Sequence, residues 1–344
     1  MIGGGPAGVA AAYVLGRAGY RVTLYDMAPR LGFKPCGRGI PSTGDLPFDI
    51  PRDSIVRRIR GAALYVDSEP VFEIEEGLNG VIVDKGGMLE AILADAGVEL
   101  VRRAFYKVGS REVRVGGSYR RVAGGFFAGG HPYYPGETIN AIQYRVKGKQ
   151  FEDLDKLVIY FDTRLIGYYY VFPNHGNEAD VGVGGFADFD TLRLKLDKFM
   201  KNNNYTRGVK TLRIEGARIA VGGVVLSNVD GLEVIGEAAG YVLPLTGEGI
   251  RPSMLSGAYA ADAVLKGKNV RTVLREAPIT KAIRLQRRIL DRVKKMTPER
   301  RASLLKSMPP SVHAMIALGR IDKRALLKAL AGKPSLLAKI LNLL

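Results

Sequence analysis

The hydrophobic pattern at the start of the chain predicts a strand, a helix and a second strand. The segment "IGGGPAGVAAAYVLGRAGYRVTLYD" opens on a glycine turn, continues as an alanine-rich helix from Pro6 to about Ala18, and stops at Gly19. The apolar run "YRVTLYD" that follows is typical of a buried parallel strand. Together these elements predict a βαβ unit.

After about Pro41 the pattern changes to short alternating segments, which are typical of an antiparallel sheet. These segments are "GAALYVD", "PVFEIEE", "TINAIQYRV", "LVIYFDT", "GYYYVFP" and "ADVGVGG". Between them, "DKGGMLEAILADAG" predicts a helix from Asp84 and "VELVRRAFYKV" a strand. After the last of them, "ADFDTLRLKLDKFMKNN" predicts a helix capped near Asp188. A β-rich layer therefore interrupts the first unit.

The later sequence returns to a strand, a glycine turn and a long helix in "GLEVIGEAAGYVLPLTGEGIRPSMLSGAYAADAVL", and then shows helical periodicity only. This order predicts an α/β protein with an inserted antiparallel β-sheet domain and a helical C-terminal tail. We assign residues 1–44, 80–124 and 207–264 to the nucleotide-binding domain, 45–79 and 125–206 to a β-sheet substrate domain, and 265–344 to a basic helical region.

The composition of the chain indicates the cellular compartment in which we expect the protein. The 344-residue chain has one cysteine, Cys36, and no run of eighteen apolar residues, so we expect neither a disulfide framework nor a membrane span. Met1 is followed at once by "IGGGPAG", without the features of a signal peptide. We therefore expect a cytoplasmic protein.

The net charge of +17 lies almost wholly in the tail, where residues 265–344 carry 20 Lys and Arg against four acids. Such an asymmetry favours an anionic partner. Because "KRALLKALAGKPSLLAKILNLL" interleaves leucines with cations, we expect a helix that lies on an anionic membrane surface. Two alternatives remain open: solvated helices of a thermophile's protein, and leucines that simply cover the nucleotide domain.

The first chemical motif is G-x-G-x-x-G, formed by Gly3, Gly5 and Gly8, with Pro6 and Ala7 at the helix start. Its glycines allow a tight turn, a close approach of the backbone to a pyrophosphate, and helix–strand packing. Asp26 ends the next strand, where an acid binds a ribose hydroxyl. The alternative is a structural glycine turn. Only Met1 and Ile2 precede the motif, so we expect an upstream start or an unusually short first strand.

A second motif follows some 230 residues later and resembles the flavoprotein pattern G-D-A-A-G…P…G-x-G. Its residues here are Gly236, Glu237, Pro244, Gly247, Gly249 and Ile250, with glutamate in place of the family's aspartate. The resemblance implies an FAD-binding Rossmann-type domain like those of glutathione reductase and p-hydroxybenzoate hydroxylase, whose acid binds the ribityl chain. The helix start then faces the pyrimidine end of the flavin.

Two further segments resemble the geranylgeranyl reductase family, whose FAD enzymes hydrogenate isoprenoid double bonds. "KPCGRGIP" resembles the family's P-x-C-G-x-G, and this resemblance implies that Cys36, Gly37 and Gly39 lie at the flavin. "YYYVFP" looks like the family's Y-x-W-x-F-P, which implies that Tyr168, Tyr170, Phe172 and Pro173, together with Val171, line a substrate cavity. Tyr170 stands where the family has tryptophan. The alternative is an ordinary strand face.

The resemblance implies a reductase acting on geranylgeranyl chains of archaeal lipid precursors. Hydride addition to an unpolarised alkene needs a matched proton donor, for which Cys36 and Tyr168 are the candidates. The alternative for Cys36 is a small side chain that only packs. We expect a prenyl lipid or isoprenoid substrate, NAD(P)H or a ferredoxin as electron donor, no metal, no nucleic acid and a monomer. The alternatives are a flavin monooxygenase of the same fold and a non-catalytic flavoprotein that binds membranes.

Overall fold

The computed structural model describes residues 1–41, 43–75, 79–321, 327–332 and 336. Within them the α-helices are α1 (Pro6–Arg17), α2 (Lys85–Asp95), α3 (Phe189–Asn202), α4 (Ile250–Leu265), α5 (Val270–Glu276), α6 (Pro278–Lys294), α7 (Pro298–Ser307) and α8 (Pro310–Ala317). The strands are β1 (Thr23–Tyr25), β2 (Gly39–Ile40), β3 (Ile55–Ile59), β4 (Gly61–Val66), β5 (Glu69–Ile74), β6 (Gly80–Val83), β7 (Glu99–Val101), β8 (Ala104–Lys107), β9 (Glu112–Val115), β10 (Ser118–Arg121), β11 (Phe126–Phe127), β12 (Thr138–Lys147), β13 (Lys156–Asp162), β14 (Gly167–Pro173), β15 (Glu178–Gly185), β16 (Lys210–Ala220), β17 (Asn228–Val229) and β18 (Leu232–Val234). Short 3-10 helices span Arg52–Ser54, His131–Tyr133, Lys149–Phe151 and Gly236–Ala239.

The parallel sheet has the first residues of the chain near its centre. Ile2 forms parallel bridges with Tyr25 of β1 on one side and with Phe127 of β11 on the other. Strand β1 in turn pairs in parallel with β7, and β11 pairs in parallel with β18. The Ile2 amide donates to the Phe126 carbonyl at 3.0 Å, and the Gly3 amide donates to the Tyr25 carbonyl at 2.8 Å. The short apolar segment before the first glycine motif thus lies centrally in the sheet.

Helices α1 and α4 pack closely because small residues face each other. Ala7 and Ala10 of α1 are buried, and α1 starts at Pro6, which needs no hydrogen-bond partner for its nitrogen there. A Cβ at Gly257 of α4 would lie 2.1 Å from the Ala7 carbonyl oxygen, so only glycine allows this approach. The βαβ unit and the second strand–turn–helix unit that the sequence predicts are confirmed, and they share one core.

The large sheet has seven strands in the order β16-β12-β15-β14-β13-β4-β5. Its neighbours pair antiparallel except β4 and β13, which pair in parallel. Helix α3, capped as predicted by Asp188, covers one face, where Tyr169 stacks on Phe199 with ring centroids 4.6 Å apart. The other face of β14 is left for the cavity described below.

Two strands cross the domain boundaries assigned from the sequence. Strand β16, which falls in the range 207–264, pairs with β12 in the large sheet, and β11, which falls in 125–206, pairs with β18 in the parallel sheet. The predicted strand "VELVRRAFYKV" is split into β7 and β8, with Arg103 at a φ of 54° between them. The division into three domains stays a prediction.

The C-terminal helices α5 to α8 pack on the rest of the chain. Helix α6 buries an apolar stripe that includes Ile283 and Leu290, while its Arg287 and Lys294 pair with Glu137 at 2.6 and 2.5 Å. Most of the segment "KRALLKALAGKPSLLAKILNLL" lies outside the described residues. Among the described helices, none is long and apolar enough to cross a membrane.

Candidate functional site

A cavity of about 700 Å³ is lined by residues of both the parallel sheet and the large sheet. Both glycine motifs and the aromatic strand border it. The predicted site residues in its wall are Gly3, Gly5, Pro6, Ala7, Asp26, Cys36, Gly37, Gly39, Tyr168, Tyr170, Phe172, Gly236, Glu237, Gly247, Gly249 and Ile250. Four predicted residues do not line it: Gly8, Val171, Pro173 and Pro244.

The first glycine motif forms one end of the cavity, and its three glycines have different roles. Gly3 has a φ of 95°, and a Cβ there would lie 2.3 Å from the Ala128 carbonyl oxygen. A Cβ at Gly8 would lie 1.9 Å from the Gly3 carbonyl oxygen, so this glycine serves helix–strand packing and does not reach the cavity. Gly5 has no atom within 4 Å of its Cβ position, which leaves room for a ligand at the start of α1.

Asp26 lies beside this glycine turn at the end of β1. Its carboxylate accepts the Gly4 amide at 2.6 Å and the Ala28 amide at 2.7 Å, one on each oxygen. Two backbone donors fix the carboxylate, while the residue still borders the cavity. An acid held in this way at the end of the second strand is placed to accept a ribose hydroxyl.

Two lysines that the sequence analysis did not single out surround Glu237. Lys34 Nζ lies 2.6 Å from both Glu237 carboxylate oxygens, and the Ala220 amide donates to the same carboxylate at 3.2 Å. Lys85 is buried and donates to the Lys34 carbonyl at 2.5 Å. Burial lowers the pKa of Lys85. The predicted ribityl-binding acid is therefore oriented by a cation and an amide.

Strand β14 presents three aromatic rings to the cavity. The rings of Tyr168 and Tyr170 have centroids 6.2 Å apart, and those of Tyr170 and Phe172 are 4.6 Å apart. The Tyr170 hydroxyl donates to Gln143 Oε1 at 2.8 Å. Gly182 of β15 makes room for this arrangement, since a Cβ there would lie 2.4 Å from Tyr170 Cζ.

The expectation that Val171 and Pro173 line the cavity is wrong for both residues. Side chains alternate across a strand, so Val171 lies on the opposite face and is fully buried in the core beneath α3. Pro173 ends the strand and is buried outside the cavity wall. Only the alternate positions of "YYYVFP" face the cavity.

Cys36 and Tyr168 border the middle of the cavity. The Arg38 amide lies 3.3 Å from Cys36 Sγ, and Gly37 packs so closely on Phe172 that a Cβ there would lie 2.9 Å from its Cδ2. The Tyr168 hydroxyl donates to the Thr246 carbonyl. Burial raises the pKa of Tyr168 well above its ordinary value, so this hydroxyl gives up its proton reluctantly.

Glu248, whose carboxyl group is buried, lies between Gly247 and Gly249 of the second motif and is one of the residues that border the same cavity. Its Oε2 accepts from Arg251 at 2.9 Å, and Arg251 also pairs with Asp45 at 2.7 Å. Its Oε1 is buried and has no hydrogen-bond partner in the described part of the chain. Burial raises the pKa of Glu248 to about 7, although Arg251 opposes the shift.

Comparison with known proteins identifies the family. Residues 1–36 match the family model of an NAD(P)-binding Rossmann-like domain. The chain is 31% identical over 301 residues to digeranylgeranylglycerophospholipid reductase 1 of Methanopyrus kandleri, covering 77% of this chain and 80% of that protein. The chain belongs to the geranylgeranyl reductase family. It is also 30% identical to the geranylgeranyl diphosphate reductase of Rhodobacter capsulatus, over 77% of this chain and 74% of that one.

Solved structures agree on the fold of this reductase. A geranylgeranyl bacteriochlorophyll reductase-like protein of Thermoplasma acidophilum superposes with a TM-score of 0.79 over 100% of this chain and 98% of its own, at 21% identity. A probable FAD-dependent monooxygenase of Pseudomonas aeruginosa superposes with a TM-score of 0.63, at 16% identity, over 89% of this chain and 98% of its own. The predicted flavoprotein fold class is confirmed.

The cavity of the reductase fits FAD, the cofactor that the sequence predicts. The open position at Gly5, the fixed carboxylate of Asp26 and the oriented carboxylate of Glu237 lie along one continuous wall. Gly247, with a φ of 68°, and Gly249 continue that wall to the start of α4. Gly5 suits the central pyrophosphate of FAD, and Asp26 suits the ribose on its adenine side. Glu237 suits the ribityl chain on the other side of the pyrophosphate, and the glycines of the second motif suit the flavin ring. Bound FAD supplies the hydride of the reaction.

Proposed function

We propose that the protein is an FAD-dependent reductase that hydrogenates the C=C double bonds of geranylgeranyl chains in membrane lipid precursors. The observation that carries the proposal is the cavity itself. It is bordered both by the two glycine motifs and by the aromatic face of β14. A hydride carrier and an apolar chain bound in the same cavity are what this chemistry needs.

The apolar side of the cavity supports a prenyl chain as substrate. Beside the rings of β14, it is lined by Ile139, Leu157, Ile159 and Phe161 of the large sheet and by Val242 and Leu245 of the second motif. Such a surface gains free energy by excluding water from an isoprenoid chain, at about 25 cal/mol for each Å² buried. Tyr168, Tyr170 and Phe172 are the proposed substrate-binding residues, and Cys36 and Tyr168 are proposed to orient the alkene at the flavin.

The names of the relatives specify different chemical groups to which the prenyl chain is attached. Their names specify a digeranylgeranylglycerophospholipid for the Methanopyrus kandleri protein and a geranylgeranyl diphosphate for that of Rhodobacter capsulatus. We propose the glycerophospholipid, because the cations of the C-terminal helices suit a peripheral position on an anionic membrane in which this lipid is dissolved. NAD(P)H or a ferredoxin is the proposed electron donor, and the protein is proposed to act as a monomer.

The cations of the C-terminal helices carry the membrane part of the proposal. Leu330 and Leu336, two leucines of the basic segment, are buried against Met308 and Val312, so they cover the protein's own surface. The charges are thus the proposed membrane contact. Binding to vesicles that contain anionic lipid, lost at high salt, is the expected result, whereas equal binding to neutral vesicles would contradict it.

The substrate is tested by offering both lipids to the reduced enzyme. Purified protein with bound FAD is reduced with dithionite in the absence of oxygen and mixed with digeranylgeranyl glycerophospholipid or with geranylgeranyl diphosphate, and the products are weighed by mass spectrometry. We expect the glycerophospholipid to gain two hydrogen atoms for each reduced bond. Lipid that stays unchanged under these conditions would contradict the proposed reductase. In a separate assay in air, oxygen-dependent consumption of NAD(P)H with a hydroxylated product would identify a monooxygenase.

A further inference from the structure

Hydrogenation of an alkene requires one proton for each hydride, and the structure contains a buried acid that the sequence analysis overlooked. Glu248 lies between Gly247 and Gly249, at the start of α4 and in the cavity wall. Its side chain is only 8% exposed, and its Oε1 is buried without a hydrogen-bond partner among the described residues. Removing a carboxyl oxygen from water without a partner costs free energy, so such a group calls for an explanation.

The surroundings of Glu248 are charged, and they fix the carboxyl in place. Arg251, one helical turn later, donates to Oε2 at 2.9 Å and is itself 2% exposed. The same guanidinium reaches Asp45 at 2.7 Å and the Leu318 carbonyl at 2.8 Å, and Arg320 approaches Asp45 at 3.7 Å. From the large sheet, Tyr168 interacts electrostatically with Glu248, and both residues border the cavity.

Of the two earlier candidates for the proton donor, Tyr168 has its hydroxyl proton engaged. The Tyr168 hydroxyl donates to the Thr246 carbonyl, whereas Cys36 Sγ accepts the Arg38 amide at 3.3 Å, a contact that leaves the thiol proton free. Glu248 differs because one oxygen is held by a cation while the other is unpaired. Burial raises its pKa to about 7, which keeps a large fraction of the carboxyl protonated near neutral pH. An acid with a pKa near the operating pH is the most effective general acid.

We infer that Glu248 is the proton donor of the hydrogenation and that Arg251 is its positioning residue; this inference rests on the proposed function. The π bond of the alkene would break as the carboxylic O–H bond of Glu248 breaks and a C–H bond forms at one alkene carbon. Reduced FAD, when bound, would supply the hydride for the C–H bond at the other carbon and so act as the two-electron reductant. Glu248 is left as a carboxylate, which Arg251 stabilises until a proton from water restores the acid.

The inference is tested by single-turnover oxidation of the reduced enzyme by digeranylgeranyl glycerophospholipid, from about pH 5 to about pH 9. For the wild type, the rate should fall as the pH rises through about 7. Glu248→Gln should slow it at least ~100-fold with unchanged FAD affinity, whereas Glu248→Asp should keep part of the rate, since positioned acids contribute about 10²–10⁴-fold. Glu276→Gln, a carboxyl on the surface paired with Lys281, is the matched control and should behave as wild type.

A spectroscopic readout separates a proton donor from a merely structural carboxyl. In infrared spectra of the protein labelled with 13C-glutamate, a protonated-carboxyl band should titrate near pH 7 and be missing in Glu248→Gln. A wild-type rate that is flat across pH 7, or a Glu248→Gln rate equal to wild type, would overturn the inference while the proposed function stands. If the wild type itself is not oxidised by the lipid at any pH, the proposed function fails.

Discussion

The raised pKa of Glu248 makes a prediction about stability that needs neither lipid nor turnover. In the unfolded chain this carboxyl titrates at about 4.5, and in the folded protein at about 7. Between these values the folded state holds a proton that the unfolded state has lost, so the free energy of unfolding falls as the pH rises. The contribution is fully present below about pH 4.5 and is lost by about pH 7.

The size of this fall in unfolding free energy follows from the difference between the two pKa values. At about 1.4 kcal/mol for each pKa unit, a shift from about 4.5 to about 7 amounts to about 3 kcal/mol. The assay is urea unfolding of the purified full chain, followed by circular dichroism across this pH range, for wild type and Glu248→Gln. We expect the difference between the two unfolding free energies to change by about 3 kcal/mol, because every other titrating group, including the buried His313 with its lowered pKa, contributes equally to both.

The control variant Glu276→Gln should follow the wild-type curve, since its carboxyl is exposed at the surface. If the unfolding free energies of wild type and Glu248→Gln differ by the same amount across the whole pH range, the Glu248 carboxyl is ionised in the folded protein. That result would refute the reasoning about its burial.

Three further predictions concern the rest of the cavity. Asp26→Asn should weaken FAD binding roughly 10- to 100-fold, as expected for loss of a hydrogen bond to a charged group worth about 1.5–3 kcal/mol, and titration by flavin fluorescence measures it; unchanged affinity would show that Asp26 does not contact the cofactor. Gly182→Ala places a Cβ 2.4 Å from Tyr170 Cζ and should cost about 1–3 kcal/mol of unfolding free energy and raise the KM for the lipid, whereas Gly117→Ala, with nothing within 4 Å, should change neither; equal effects of the two would contradict the packing. Cys36→Ser should keep its FAD and a single-turnover rate within about tenfold of wild type, because loss of a proton donor costs more than that; a larger loss with FAD retained would make the thiol part of the chemistry.

The motifs of this protein could be predicted because each depends on local backbone geometry. Gly3, Gly5 and Gly8 form one tight turn before a helix, and Asp26 follows at the end of the next strand, so the spacing alone indicates their roles. The sequence predicts that Tyr170 and Val171 of the run "YYYVFP" both line the cavity. Because side chains alternate across a strand, Tyr170 faces the cavity and Val171 faces the other side of the sheet.

The remaining contacts depend on residues that are distant in sequence. Lys85 is buried because it meets the Lys34 carbonyl, 51 residues earlier, and Asp45 reaches Arg251 across 206 residues. Glu248 carries one local signal, since Arg251 follows it at the i+3 spacing of an ion pair on a helix. Its burial and its unpaired oxygen, however, arise only when the second glycine motif, β14 and the C-terminal helices come together.

The central claim is that one cavity holds both FAD and the prenyl chain. The most direct test is the spectrum of the reduced enzyme, kept free of oxygen, when digeranylgeranyl glycerophospholipid is added. The account predicts that the absorbance of oxidised flavin returns, with one flavin reoxidised for each double bond reduced. A flavin that stays reduced in the presence of saturating lipid would contradict it.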